Sequence, residues 1–243
     1  MGYKAATAFV VIILVSIVVG FYAYDYFLES REYIRLEERV FSSVDIHLAA
    51  VTETDEGMLI PLRVEIREGT GKILINIDDP SFILDTQDSM RTATHEAARI
   101  TGYNTGTVDV LFSLDTGATI IGGPSAGAAM AVAATASLIN KKIRSDVIIT
   151  GTIEEGGGIG PVGGIIEKAQ AAKEYGATMF LVPQGESVIL QEIEECDEEY
   201  GMGWDYTHCT VTYKSTHISD IVPGLQVIEV RYLEDALEYM LTQ

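Results

Sequence analysis

The stretch Ile120 to Lys168, IIGGPSAGAAMAVAATASLINKKIRSDVIITGTIEEGGGIGPVGGIIEK, decides how the rest of the chain is read. A strand, Ala118 to Ile121, runs through a Gly-Gly-Pro-Ser turn into a helix spanning Ser125 to Ile139. Ala, Met, Val and Leu make up almost all of that helix, so most of its surface is expected to be buried. A second strand, Ser145 to Ile153, leads through the glycine-rich Glu154 to Gly164 into a helix, Ile165 to Tyr175, closed by Gly176. Small residues flank Ser125 on both sides, which lets the backbone turn sharply and a substrate carbonyl approach. The start of the following helix offers free amide N–H groups, the arrangement an oxyanion hole needs. A serine in such a turn also serves as a plain helix N-cap, and the pentapeptide Gly123 to Gly127 does not by itself separate the two roles.

Two enzyme chemistries fit that pentapeptide. As GxSxG it is the nucleophile elbow of an α/β-hydrolase, which requires a later acid and a later histidine. Asp197 or Asp205 with His208 or His217 fill those places nominally. As a Ser-Lys site it requires instead a lysine desolvated enough to present a neutral amine. Lowering a lysine from about 10.4 by about three units costs about 4 kcal/mol, which burial must impose. Lys168 has Gly164 and Ala172 at helical spacing and Ile165, Ile166, Ala169 and Ala171 around it. Small neighbours admit a close-packed element and apolar ones exclude water, whereas Lys141, Lys142 and Lys173 fit the ordinary solvated role. Two glycine motifs are discounted. Gly69-Thr-Gly-Lys72 has Ile66 and Ile73 where a phosphate-binding loop needs glycine and a hydroxyl. Gly158 to Gly163 matches a dinucleotide fingerprint in letters but contains Pro161 and lacks the strand that should precede it. No cofactor or metal is expected.

Working outward, 243 residues with 47% hydrophobic content allow one core of ordinary size. With 36 Asp and Glu against 16 Lys and Arg and no basic run, the surface repels phosphate backbones, so nucleic acid is not an expected partner. Upstream, Ser43 to Val51, Leu59 to Ile66 and Lys72 to Ile77 read as strands, the last two joined as a hairpin by Glu68 to Gly71. Asp88 to Ile100 reads as a helix with Met90, Ala93, Ala97 and Ile100 on one face, and Val108 to Leu114 as a strand. Thr178 to Val182 and Gln226 to Val230 are further strands, and Leu233 to Met240 is a closing helix. Between them the polar segment 184–223 carries the acidic run Glu192 to Glu199, read as a solvated helix and surface excursion in preference to a substrate-gating or subunit-contact element. Cys196 and Cys209 are either one disulfide or two inert thiols. At the N-terminus, Ala5 to Tyr24 holds no charged residue and is long enough to cross a bilayer core of about 30 Å, so residues 1–24 read as a membrane anchor. The run is long for the apolar core of a cleaved signal peptide. Lys4 on one side and Arg31, Arg35 and Arg39 on the other leave its orientation open. Residues 25–42 read as a stalk helix and 43–243 as the α+β (mixed α/β) domain.

Three segments together resemble a known family. GGPSAGAAMAVAATASLI, DVIITGTI and GPVGGIIEKAQAAKEYGATMFLVP look like the proteolytic domain of Lon-family Ser-Lys proteases. Lys168 lies 43 residues after Ser125 and Thr150 lies 25 after it, the family's spacings for the lysine and for a threonine that supports it. The resemblance covers Leu59 to Pro183 well and Gln226 to Met240 more loosely. It implies a Lon protease-like fold, Ser125 as nucleophile, Lys168 as base and later acid, and Thr150 as the hydroxyl that positions the amine. It also implies protein or peptide substrates and a homo-oligomer, a hexameric ring by analogy. Many members carry an acid three residues before the serine and a glutamate two after the threonine, where this chain has Gly122 and Thr152. No Walker motif is present in the sequence, so a membrane-anchored, ATP-independent protease, or one fed by a separate ATPase, is the expectation.

Overall fold

The computed structural model describes residues 16–22, 40–76, 81–82, 84–114, 120–121, 123–201 and 204–242. The chain divides into two units, Met1–Arg39 and Val40–Gln243. In the first, residues 16–22 are helical with Ile17, Val18, Val19, Phe21 and Tyr22 exposed. The remainder of the expected anchor, and residues 25–39 of the expected stalk, lie outside the described residues. Among those described, no helix is long and apolar enough to cross a membrane. Residues 40–42, read from sequence as the stalk's end, instead open the first strand, because Val40 and Ser42 pair with Arg67 and Ile66.

In the second unit, β1 (Val40–Val51) and β2 (Gly57–Glu68) form an antiparallel hairpin. Alternation turns Val44, Ile46 and Leu48 and, across from them, Ile60, Leu62, Val64 and Ile66 into the core. The outward face carries the cross-strand pair Asp45 and Arg63, 2.7 Å apart. Thr52 Oγ1 accepts the N–H of Glu56 at 3.1 Å and steadies the turn. The expected hairpin between β2 and β3 (Ile73–Ile75) does not form: β5 (Val108–Leu114) lies between them in a sheet ordered β1-β2-β5-β3. The buried residues Val108, Val110, Phe112 and Leu114 make β5 a central strand, antiparallel to β2 and parallel to β3. Glu68 to Lys72 therefore passes over the end of β5 rather than making a tight turn. The Asp109 carboxylate accepts the N–H groups of Thr70 and Lys72, each at 2.8 Å, occupying the amides a phosphate would use.

Above this sheet, α1 (Leu84–Thr101) packs its Met90, Ala93 and Ala97 face on α2 (Gly127–Leu138). Every residue of α2 is buried, as its almost wholly apolar composition requires. Its few polar groups are satisfied internally: Thr135 Oγ1 donates to Ala131 O at 2.7 Å and Ser137 Oγ to Val64 O at 3.0 Å. Short strands β4 (Ser81–Phe82) and β6 (Ile120–Ile121) pair in parallel just before the serine turn.

The second sheet is fully parallel, with β10 (Met179–Pro183) between β7 (Val147–Ile149) and β13 (Gln226–Val230). The single expected strand Ser145 to Ile153 breaks after β7, and β8 (Thr152–Ile153) turns away to pair with β9 (Ile159–Gly160). Between β7 and β10 the chain forms α3 (Ile165–Tyr175), which lies on the β1–β2 hairpin. That approach is backbone to backbone: a Cβ on Gly57 would stand 1.9 Å from the Glu167 carbonyl oxygen.

The acidic run is not a helix. β11 (Val188–Gly201) and β12 (Trp204–His217) form a two-stranded arm, because β12, rich in threonine and aromatic residues, supplies a partner strand in continuous register. Cys196 and Cys209 face each other in that register and are joined as a disulfide. A short α4 (Ile218–Ile221) and a closing α5 (Leu233–Met240) complete a mixed α+β domain. Replacing Gly57 by alanine is expected to push α3 off β2 and lower stability by about 2 to 3 kcal/mol, read as a lower urea midpoint.

Candidate active site

Ser125 sits in a single 3-10 turn, Pro124–Ala126, directly ahead of α2. Gly123 adopts φ 97°, a conformation closed to most side chains, and Pro124 fixes the next φ, so the chain reverses within two residues. Gly127 follows because a Cβ there would come within 2.8 Å of Ile153 N, leaving no room for β8. The N-cap of α2 is Ala126, with no side-chain capping bond, so Ser125 is not the capping serine its sequence context allowed. Of the helix-start amides, Gly127 N–H turns back on Pro124 O and Ala128 N–H donates to Gly151 O at 3.0 Å. The half-buried Ser125 thus has the amides at its own position and at Ala126 as the nearest candidates for oxyanion donors.

Thr150 meets this turn where β7 breaks. The Ser125 carbonyl accepts the N–H of Gly151 at 3.0 Å and the Thr150 hydroxyl at 3.4 Å. Gly151 holds φ 154°, and a Cβ on it would lie 2.4 Å from Ile159 Cγ2. Thr150 is itself buried, and its N–H donates to Leu181 O in β10 at 3.0 Å. On the far side, Val182 and Phe180 of β10 share an apolar cluster with Ala169 and Ala172 of α3. The strand break therefore touches the serine turn directly, and β10 connects it to the helix that carries Lys168.

Lys168 is 3% exposed, in the first turns of α3. Burial pushes its ammonium down to about 8 from 10.5, while the carboxylates of Glu186 and then Glu167 work the other way. No carboxylate stands within ion-pair distance of it among the described residues. Gly164, in the left-handed region, begins α3 and lets Val51 approach, since a Cβ there would lie 2.5 Å from Val51 Cγ2. Sequence reasoning missed Glu186, which follows the β10 strand in an unpatterned turn. Its carboxylate accepts Val162 N–H at 3.2 and 3.3 Å and so fixes the loop leading to α3.

The other motifs take structural roles. The glycine-rich segment after β8 is clamped to α1: buried Glu96 accepts Gly156 N–H at 3.1 Å and Arg99 Nε at 2.5 Å, and Arg99 reaches Glu234 at 3.2 Å. Burial opposes charge on Glu96, but Arg99 and the Gly156 amide hold its carboxyl below the usual range. His217 caps α4, its Nδ1 accepting Ser219 N–H at 3.2 Å. His208 pairs in register with Asp197 out on the exposed arm, beyond the disulfide from the arm's base. Neither histidine is on the Ser125 turn, and the two-residue β6 is not the central parallel strand a nucleophile elbow requires. Glu194, Cys196 and Cys209 are the one metal-like cluster among the described residues, but both sulfurs are held in the disulfide and are not thiolate ligands.

Residues 84–201 match the family model for the Lon protease (S16) C-terminal proteolytic domain. Among curated relatives, Lon protease 2 of Syntrophobacter fumaroxidans is 32% identical over 142 residues, covering 57% of this chain and 18% of that protein. The Lon protease of Vibrio parahaemolyticus is 26% identical over 188 residues, 76% of this chain and 21% of that protein. Buchnera aphidicola Lon protease is 42% identical over 85 residues, covering 35% and 11%. The chain thus spans at most about a fifth of the length of these relatives. Residues 84–201 are thus similar to the proteolytic domain of Lon proteases.

A base that works as a neutral amine gives a definite pH profile. With its ammonium at about 8, about one-tenth of Lys168 is neutral at pH 7. Turnover is expected to rise about tenfold per pH unit below about 8 and to level above it. Glu186→Gln removes a charge that favours the ammonium, so the midpoint of the rate profile should move to lower pH. The stability sign follows from linkage: between about 8 and 10.5 the unfolded chain binds the proton that folded Lys168 has lost. Folding stability should rise with pH across that window, and Lys168→Met should abolish the slope in urea titrations.

Proposed function

We propose, from a chain whose residues 84–201 match the Lon (S16) proteolytic domain, that this protein is a Ser-Lys endopeptidase of unfolded or flexible polypeptides. The observation that carries the reading is the buried Lys168, its ammonium lowered to about 8 with no carboxylate at ion-pair distance among the described residues, in family register with a serine turn hydrogen-bonded to Thr150. The neutral amine takes the proton of Ser125 Oγ as the oxygen adds to the scissile carbonyl. Charge developing on the carbonyl oxygen is met by backbone N–H groups at Ser125 and Ala126. The resulting ammonium returns its proton to the departing amine, leaving an ester on Ser125. Water, deprotonated by the same lysine, then hydrolyses the ester and restores the hydroxyl. Thr150 acts on the lysine amine as its positioning hydroxyl, and Thr152 replaces the acid many relatives carry two residues on.

Several finer features belong to the same proposal. Ala5 to Tyr24 tethers the domain to a membrane, supported by an uncharged apolar run whose residues 16–22 are helical. The domain faces an oxidising compartment, supported by the bonded Cys196 and Cys209, so Lys4 lies on the cytoplasmic side. The enzyme works as a homo-oligomeric ring on substrates already unfolded, and an ATPase acting with it would widen that range.

Ser125→Ala and Lys168→Ala should each abolish cleavage of an unfolded protein in the absence of nucleotide. Thr150→Ala should lower turnover about ten- to a hundredfold, and His208→Ala and His217→Ala should leave it unchanged. Loss of activity in either histidine variant would transfer the reading to a Ser-His-Asp hydrolase. A folded wild-type chain that cleaves nothing would mark a membrane-tethered scaffold. Thiol alkylation of the protein in intact membranes should leave both cysteines unlabelled until a reductant is added.

A further inference from the structure

The arm carries three features that the catalytic chemistry does not use. Its first is an apolar face in open solvent: Leu190 is 72% and Tyr213 67% exposed, with Val188 and Val211 also outside. Strand alternation places Val188, Leu190, Glu192 and Glu194 on one face of β11, with Tyr213 and Val211 directly across from the two glutamates. The second is charge. Six of the fourteen residues of β11 are carboxylates, and Lys214 is the single lysine or arginine in the arm. The third is that β11 pairs with β12 alone, so among the described residues both outer edges of the arm keep unpaired backbone groups. At about 3.3 Å per residue, each edge offers about 45 Å of strand.

The arm also begins at the wall of the site. Its base is closed by Ile218 N–H donating to Ser187 O at 2.9 Å, one residue beyond Glu186. Glu186 fixes the loop into α3 through Val162 and is the foremost carboxylate acting on Lys168. Ser187 is anchored in turn by Glu229, at 3.2 Å to its N–H and 2.5 Å to its hydroxyl. A chain laid along the arm is therefore led towards the catalytic residues.

We propose that this arm captures extended, basic stretches of polypeptide substrate, which add to an open edge as a further strand. Their apolar side chains rest on Leu190 and Tyr213 and their lysines or arginines on Glu192 and Glu194. This rests on the endopeptidase reading above and specifies its substrate class. An extended chain supplies the N–H and C=O groups that an open edge lacks, and alternate side chains on one face read the pattern. Charge decides the occupant. A second copy of this chain, with a formal net charge of −20, would set carboxylates against carboxylates, and a nucleic acid would be repelled in the same way.

The test uses the full chain in detergent with Ser125→Ala, so that binding is read apart from cleavage. Two fluorescent unstructured peptides share their valine and leucine positions, one with lysines between them and the other with glutamates. The lysine peptide should bind more tightly, and salt should weaken it. Glu192→Lys with Glu194→Lys should lower its affinity about tenfold and turn the preference towards the glutamate peptide. Leu190→Ser with Tyr213→Ser should weaken both peptides. With Ser125 intact, both pairs of substitutions should keep wild-type kcat on a neutral peptide too short to reach the arm, which shows that the domain is folded. Equal affinity for the two peptides, or affinity unmoved by the charge reversal, overturns the proposal. Unmoved affinity with a changed assembly mass overturns it too and assigns the face to contacts between copies. Charge-dependent capture by a chain that cleaves nothing would sustain the arm's role while the endopeptidase reading alone fell.

Discussion

A lysine stays out of water only while the helix that bears it is pressed against a neighbour, and in this domain that pressure depends on two absent side chains. Gly57 admits the backbone of α3 at a distance where a methyl group would collide with Glu167 O, and Gly164 admits Val51 at the helix's first residue. The β1–β2 hairpin is therefore more than a sheet edge. It is the surface on which the helix bearing the buried Lys168 is seated, and the lowered ammonium follows from the lysine's burial. The rest of the site hangs on the same frame: β10 lies between α3 and Thr150, and Thr150 and Gly151 hold the carbonyl of Ser125.

The strand break at Thr150 and Gly151 shows how backbone geometry replaces side-chain contacts here. A continuous strand through Ile153 would carry Thr150 past the serine turn. Because Gly151 turns the chain, β8 instead packs beside Gly127, and the Ser125 carbonyl is held from two sides. The carbonyl oxygen is so engaged that the serine's backbone is fixed while its hydroxyl is left to chemistry. On the proposed Ser-Lys reading, rigid support of this kind would aim a weak nucleophile without a histidine.

Much of this was legible in the sequence where the pattern was local. The mostly apolar α2, the span of α3 with its closing Gly176, and the strand β13 followed by α5 all rest on periodicity and capping within a few residues. The burial of Lys168 was legible in its small and apolar neighbours, whereas Ser125, Thr150 and Lys168 were singled out as a set by the family's spacing. What escaped was non-local. A turn at Glu68 to Gly71 suggested a hairpin because nothing nearby announced that β5, some forty residues on, would take the place between β2 and β3. The carboxylates of β11 suggested a solvated helix because their strand partner lies beyond a turn and has its own composition. Glu186 carried no motif at all; only the folded chain shows it at the mouth of the α3 loop.

On the endopeptidase reading, the disulfide has a consequence for the protein's own survival. A protease that acts on flexible chains endangers any segment of itself that opens, and a lone two-stranded ribbon is the part of a domain most prone to local unfolding. Cys196 and Cys209 close a loop with a sequence separation of 13, which in a chain-entropy account disfavours the opened arm by about 3 kcal/mol. Stapled in this way, the arm reaches into solvent without becoming a substrate for a neighbouring molecule, and a reducing environment would expose it to self-digestion.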